Sequence, residues 1–169
     1  MPGRHVQFAA GCYYHVYNRG ANRTSIFTGD SDFLDFLYRL RTNAARYNAT
    51  LIAYCLMPNH FHILVRQDGE KSAGLMIQCT CNGYAQAFNL RRNHSGTLFQ
   101  GRYQCIHVDH DEYLRHLCRY IHTNPVKDGF ALRPELWPYS NYADWINQRP
   151  TAETDRTFVD EFFGSVDRY

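Results

Sequence analysis

Apolar and polar positions alternate along this chain at two periods, and the switches between them outline six elements plus one more helix. Residues 12–18 are aromatic and β-branched and end at Arg19-Gly20, which predicts a first strand. Residues 19–29 read as a polar loop containing Arg19, Asn22 and Arg23. Asp30 is placed to cap a helix running to about Tyr47, with Phe33, Leu34, Leu37, Leu40 and Ala44 on one apolar face. Strands are predicted at about 50–57 and 60–66, separated by the turn dipeptide Pro58-Asn59. A second helix covers 72–90, although Gly83 inside it costs about 1 kcal/mol of propensity. A basic, polar loop follows from Arg91 to Gly101, then a fourth strand at 102–108. Asp109, with Glu112 three residues on, resembles a capping box for a third helix that Pro125 should stop.

The order β-α-β-β-α-β followed by a helix predicts an α+β fold. It suits a ferredoxin-like sandwich, in which an antiparallel sheet carries two helices on one face. Many unrelated functions use that architecture, so it decides nothing about chemistry. From Arg133 onward the pattern loses regularity, with Pro134 and Pro138 set among Trp137, Tyr139, Tyr142 and Trp145. The expected organisation is one domain over 1–132 and a tail over 133–169 packed on it.

Composition narrows the setting. At 169 residues the chain is long enough for one compact domain with a real core. No apolar run approaches the roughly 20 residues of a membrane span, and the start lacks the basic-then-apolar pattern of a signal peptide. The six cysteines (12, 55, 79, 81, 105 and 118) form no Cys-x-x-Cys pair and sit mostly in apolar segments. They read as reduced core residues, so a cytoplasmic protein with no membrane partner is expected. Net charge is only +2, but it is unevenly spread. The last nineteen positions hold Glu153, Asp155, Asp160, Glu161 and Asp167 against Arg156 and Arg168, which leaves the preceding body more basic than the total suggests. Counterion release would favour polyanion binding by that body, although an ordinary solvated surface looks the same.

Two places carry candidate chemistry. If 60–66 is a strand, His60 and His62 project from one face while Phe61 and Ile63 project from the other. Adjacent imidazoles on a sheet can bind one divalent metal, but two half-buried, hydrogen-bonded histidines fit the same His-x-His. In the third helix Leu114, Leu117, Cys118 and Ile121 make a core stripe, while His116, Tyr120 and Asn124 stack four apart along another face. A phenol and an amide one turn apart can reach a common point. They can equally pack at the core edge and cap the helix.

Several ordered blocks go further. Tyr14 to Gly20, Leu56 to Val65, Leu98 to Tyr103, Tyr120 to Val126 and Trp137 to Ser140 together resemble single-tyrosine transposases of the histidine–hydrophobic–histidine (HUH) class. Within that class the sequence is similar to the REP-associated tyrosine transposases, over roughly residues 12–145. The resemblance implies a single-stranded DNA endonuclease and strand-transferase. Tyr120 falls on its nucleophile, and His60 and His62 on its metal pair. Asn124 takes the place of the third ligand, with His122 and His116 as lower-ranked substitutes; Tyr113 and Tyr84 are the alternatives to Tyr120. It further implies Mg²⁺ or Mn²⁺ as cofactor and a 5′-phosphotyrosine intermediate. The implied substrate is hairpin or palindromic single-stranded DNA, and the working form a monomer or homodimer. A tyrosine phenol is a poor nucleophile at neutral pH, so such chemistry needs the cation's help.

For the substrate, Arg19, Arg23, Arg91, Arg92 and Arg102 lie in or beside loops, interleaved with Tyr17, Phe99 and Tyr103. Such mixtures suit single strands, whose phosphates pair with arginine and whose bases stack on aromatic rings. Two rival readings stand beside this one. A replication-initiator-type HUH nuclease would normally need further domains, for which 169 residues leave little room. A non-catalytic nucleic-acid-binding module would have no need of His60, His62 and Tyr120 together.

Overall fold

In the computed structural model of the chain, residues 6–149, 154–164 and 169 are described. Four strands form one antiparallel sheet: β1 (Tyr13–Arg19), β2 (Ala49–Met57), β3 (His60–Gln67) and β4 (Gln104–Val108), in the spatial order β2-β3-β1-β4. Helix α1 (Asp30–Arg46) joins β1 to β2, and α2 (Ala73–Arg92) joins β3 to β4. This is the α+β, antiparallel architecture that the hydrophobic pattern predicts.

Strand alternation divides the sheet into two faces. Tyr14, Val16, Tyr54, Leu56, Phe61, Ile63 and Val65 point to the side covered by α1 and α2. The helices approach closely where Gly83 sits. A Cβ there would lie 3.0 Å from the tip of the flexible Arg39 side chain. On the opposite face Cys55, Met57, Leu64 and Val108 meet α3 (Asp111–Lys127), whose Leu114, Leu117, Cys118 and Ile121 are the predicted stripe. The molecule therefore has three layers, helix pair, sheet and helix.

The segment after Arg133 is more built than its sequence suggests. Two short helices, α4 (Tyr142–Trp145) and α5 (Arg156–Phe163), seal the second core with Trp145, Phe158, Val159 and Phe163. Between them and the sheet lies a repair. The β2–β3 register slips between Leu51 and Ala53, which takes the Ile52 carbonyl off the ladder. Asn141 Nδ2 and Trp145 Nε1 both donate to that oxygen, at 2.8 and 3.1 Å. Asn141 Oδ1 in turn accepts from the Tyr54 amide and from His122 Nε2, each at 2.8 Å. The buried polar groups of the slip are thus satisfied. Residues 137–140 also cover the β2 edge, where the Leu56 amide donates to the Tyr139 carbonyl. Of the acidic end, Glu153, Asp167 and Arg168 lie outside the described residues.

Several boundaries differ from expectation. Gly29, not Asp30, occupies the N-cap of α1, and the Asp30 carboxylate accepts from the Tyr139 hydroxyl instead. Helix α3 starts at Asp111 after His110 with no side-chain cap, so Asp109 and Glu112 form no capping box. Pro125 does not stop α3, which continues to Lys127. Pro125 cannot donate to the Ile121 carbonyl and its ring crowds that oxygen, yet the helix runs two residues past it. Residues 102 and 103 precede β4, and Arg91 and Arg92 belong to the last turn of α2, not to a loop.

Candidate active site

Strand β3 opens on His60, and its alternation sends Phe61 and Ile63 into the α1–α2 core while His60 and His62 share the α3 face. The two imidazoles stand 5.3 Å apart between centroids, nearly perpendicular. Helix α3 crosses this face and brings the Tyr120 ring to 5.3 Å from that of His62, edge to face. Tyr120 remains 40% exposed. One turn later Asn124 is buried, and its Nδ2 donates to the Tyr120 carbonyl at 3.3 Å. Lys127 places its ammonium 5.5 Å from the Tyr120 ring centroid, a cation–π contact.

The protonation states follow from burial. His60 Nδ1 lies 2.7 Å from Asn59 Oδ1, an acceptor, so that nitrogen carries the hydrogen and Nε2 keeps its lone pair. His62 Nδ1 lies 3.0 Å from Nε2 of His15, a third histidine on β1 whose ring stacks against it. Burial lowers the His15 pKa to about 4. Burial, with His15 and His60 as neighbours, lowers that of His62 to about 3. Burial also lowers that of His60, against the opposing pull of Asn124 and Asp128. All three are neutral at pH 7, the form that binds metals. His15 Nδ1 is buried without a partner whichever tautomer is present.

Beside the histidines opens a cleft of about 680 Å³, lined by Tyr17, His60 and His62 and by the exposed Arg19, Arg23 and Arg102. Its wall is held by backbone ties: the Gly20 amide donates to the Asn59 carbonyl at 2.8 Å, and that of Gln100 to the Arg19 carbonyl at 2.9 Å. Gly20 cannot be larger, since a Cβ would fall 2.0 Å from the Thr24 carbonyl oxygen. Arg23 holds φ 60°, a left-handed conformation that costs about 1–2 kcal/mol for a residue with a side chain. Gln100 accepts from Arg19 Nε and aims that guanidinium.

The other residues singled out from the sequence sit elsewhere. Phe99 is half-buried against Phe61 and Tyr84, and Tyr103 donates its hydroxyl to the Gly74 carbonyl at 3.0 Å beneath Arg102. Arg91 and Arg92 pair with Asp32, a fully buried carboxylate, at 3.2 and 3.0 Å, and Arg91 also with Asp35 at 2.8 Å. They line no part of the cleft. His122 is fully buried with both ring nitrogens bonded, to Asn141 and to the Tyr169 hydroxyl, and His116 is exposed beside Glu112. Tyr84 is buried and donates to the Ile26 carbonyl. Tyr113 lies 41% exposed two turns before Tyr120.

The sequence pattern assigns no role to His15, Asn59, Lys127 or Asp128. Alternation along β1 puts His15 and Tyr17 on one face, but only the β1–β3 register, Tyr17 opposite His62, brings them to the histidine pair. Asp128 and Lys127 were hidden by the expected stop at Pro125.

Among the described residues no three His, Cys, Asp or Glu side chains converge into a ready metal cage. The set is two neutral imidazoles and an amide, with the Asp128 carboxylate 4.0 Å from His60 Nε2. Mixed nitrogen and oxygen donors with open positions do fit a divalent cation.

A structure of a REP-associated tyrosine transposase bound to a REP hairpin superposes with a TM-score of 0.75, covering 92% of this chain and 98% of that one at 15% identity. The fold is therefore that of a tyrosine transposase. Lesser likenesses, with TM-scores of 0.48 and 0.45, are to a candidate transposase from Deinococcus radiodurans R1 and to tRNA(His) guanylyltransferase from Saccharomyces cerevisiae. The first is 14% identical and covers 78% of this chain and 98% of that one; the second is 11% identical and covers 73% and 64%. No curated protein matches the chain. The family model described as IS200-like transposase matches residues 8–124, and the chain belongs to that family. The match begins before β1 and ends at Asn124, so it contains both histidines and Tyr120.

Proposed function

We propose that this transposase cuts single-stranded DNA and rejoins it through a covalent bond to Tyr120. The observation that carries the reading is the meeting of Tyr120 with His62 across the sheet face, with His60 beside His62 and Asn124 one helical turn beyond Tyr120. His60 and His62, with Asn124 as third ligand, would hold Mg²⁺ or Mn²⁺, which when bound polarises a phosphate oxygen and orients the phosphorus.

The chain's own residues do the rest. Tyr120 Oη attacks phosphorus in line with the 3′-oxygen of the preceding nucleotide. The P–O3′ bond breaks, the tyrosine proton is lost to solvent, and the departing strand leaves as a free 3′-hydroxyl. A 5′-phosphotyrosine stays on the protein. Attack by a second 3′-hydroxyl reverses the step and joins strands without ATP, because the phosphodiester's free energy is kept. Lys127, over the Tyr120 ring, helps fix the orientation of that ring by a cation–π contact.

Arg19, Arg23 and Arg102 offer phosphate contacts along the cleft, and Tyr17 a stacking surface beside His62. The related transposase was solved with a REP hairpin, which makes folded palindromic DNA the substrate class to try first. Tyrosine and histidines meet within one chain here, so a monomer can act in cis; a homodimer is the alternative working form. Six free cysteines, three of them buried, suit a reducing compartment, and we place the work in the cytoplasm. No helix among the described residues is long and apolar enough to cross a membrane.

The test is cleavage of labelled hairpin oligonucleotides with and without Mn²⁺. Wild type should cut only with the cation, and His60→Ala and His62→Ala should not cut while melting as wild type does. Equal cleavage by both variants would reject the site.

A further inference from the structure

Asp128 is the one carboxylate, among the described residues, at ion-pair range of either histidine of the pair, lying beside His60, and the reading above gives it no task. It follows the last turn of α3, and its position is built. Its amide donates to the Asn124 carbonyl at 2.9 Å, and Gly129 beyond it, at φ 77°, donates to the Val126 carbonyl at 3.1 Å. This places Asp128 Oδ2 4.0 Å from His60 Nε2.

The spacing is informative. Four ångströms is too long for a hydrogen bond. It leaves room for a small divalent cation between the two atoms, which His60 and Asp128 would then share as ligands. The nitrogen facing the carboxylate is the one with its lone pair free, because Asn59 holds the hydrogen on the other. Asp128 is itself exposed, with 38% of its side chain open.

Donor chemistry points the same way. Two imidazoles and an amide are a neutral set, and nitrogen-rich sites favour Zn²⁺, Ni²⁺ or Cu²⁺ over the hard cations. Mg²⁺ and Mn²⁺ call for carboxylate oxygen. We infer that Asp128 is a further metal ligand of this site, supplying the anionic oxygen that lets His60 and His62 hold a hard divalent cation. The inference rests on the proposed reading of the histidines as metal ligands. It differs from that reading in adding a ligand beyond the end of the predicted helix.

Manganese binding tests it without DNA or activity. Metal-free protein at pH 8, where the histidines are neutral, is titrated with Mn²⁺, and free Mn²⁺ is read by electron paramagnetic resonance. Wild type, Asp128→Asn, His60→Ala and His62→Ala are compared, with Ni²⁺ titrated in parallel by calorimetry. Asp128→Asn keeps the shape and the backbone cap, so its metal-free melting temperature should match wild type. Its Mn²⁺ affinity should fall at least about tenfold, and its Ni²⁺ affinity much less. Wild-type Mn²⁺ affinity in Asp128→Asn, with loss in both histidine variants, would overturn the role of Asp128 and leave the histidine site standing. Tighter Mn²⁺ binding by Asp128→Asn would also overturn it, since removing a ligating carboxylate cannot strengthen the site. Absence of Mn²⁺ binding by wild type would overturn both readings.

Discussion

His15 and His62 lie on adjacent strands with His15 Nε2 and His62 Nδ1 3.0 Å apart and their rings stacked. Only one of these nitrogens can carry the hydrogen when both rings are neutral. If His62 Nδ1 donates, His62 Nε2 is left with a free lone pair. If His15 donates instead, His62 Nε2 bears a hydrogen and cannot ligate. His15 therefore governs the tautomer of its neighbour, a task second-sphere partners commonly perform for metal-bound histidines.

Replacing His15 tests that dependence. His15→Leu should lower Mn²⁺ affinity about 10–100-fold, and His15→Gln, whose amide oxygen can accept from Nδ1, should recover part of it. Titration followed by electron paramagnetic resonance reads both. Equal affinity in wild type and His15→Leu would show that the contact is packing alone.

Acid should weaken the fold in a defined window. The folded-state pKa values of His15 and His122 are lowered from 6.5 to about 4, and that of His62 to about 3, chiefly by burial. Between these values and 6.5 the unfolded chain binds protons that the folded one does not. Stability therefore rises with pH through that window and is lost as pH falls from 6.5 toward 4, with no further change from these groups above it. Urea melts of the metal-free protein from about pH 4 to 8 should show a midpoint that falls once the pH drops below the ordinary histidine range. A midpoint that holds constant across that range would contradict the buried neutral histidines.

The arginines should separate into two groups. Arg91 and Arg92 neutralise Asp32, whose carboxylate also accepts from the Thr28 amide and hydroxyl at 3.0 and 2.8 Å. Burial pushes the Asp32 pKa up, but these partners outweigh it and leave the carboxyl below its ordinary value. The guanidinium groups are well exposed, so Arg92→Ala should cost only about 1–2 kcal/mol of stability and little hairpin affinity. Arg19→Ala, Arg23→Ala or Arg102→Ala should instead weaken hairpin binding. Each should also flatten the slope of log affinity against log salt by about 0.7 for every phosphate the variant no longer neutralises. Fluorescence anisotropy at several salt concentrations decides. Weakening of binding in Arg92→Ala equal to that of the cleft arginines would return Arg92 to the DNA interface.

Much of this architecture is legible in the sequence because its elements are strongly periodic. The α1 stripe, the β2–β3 pair around Pro58-Asn59 and the α3 stripe all read directly from apolar spacing. His60 and His62 share a face because a strand alternates, and Tyr120 and Asn124 share another because a helix repeats. That these two faces meet is tertiary, and local pattern is silent on it; only the resemblance of several blocks to tyrosine transposases joined them. His15 stayed hidden for the same reason, since strand order decides which neighbour it touches. Residues 137–145 read as irregular because their hydrogen bonds answer a slip in a distant strand. Arg91 and Arg92 looked like a basic loop because the carboxylates that engage them lie on another helix.

The proposed mechanism puts covalent attachment to DNA on Tyr120. The most direct test incubates the protein with a single-stranded hairpin oligonucleotide and Mn²⁺, denatures it, digests with trypsin and nuclease, and maps the nucleotide-bearing peptide by mass spectrometry. The predicted adduct sits on the peptide spanning Tyr120 to Lys127, and Tyr120→Phe binds the hairpin without forming any adduct. An adduct on another residue, such as Tyr113, or cleavage that proceeds in Tyr120→Phe, would contradict that assignment.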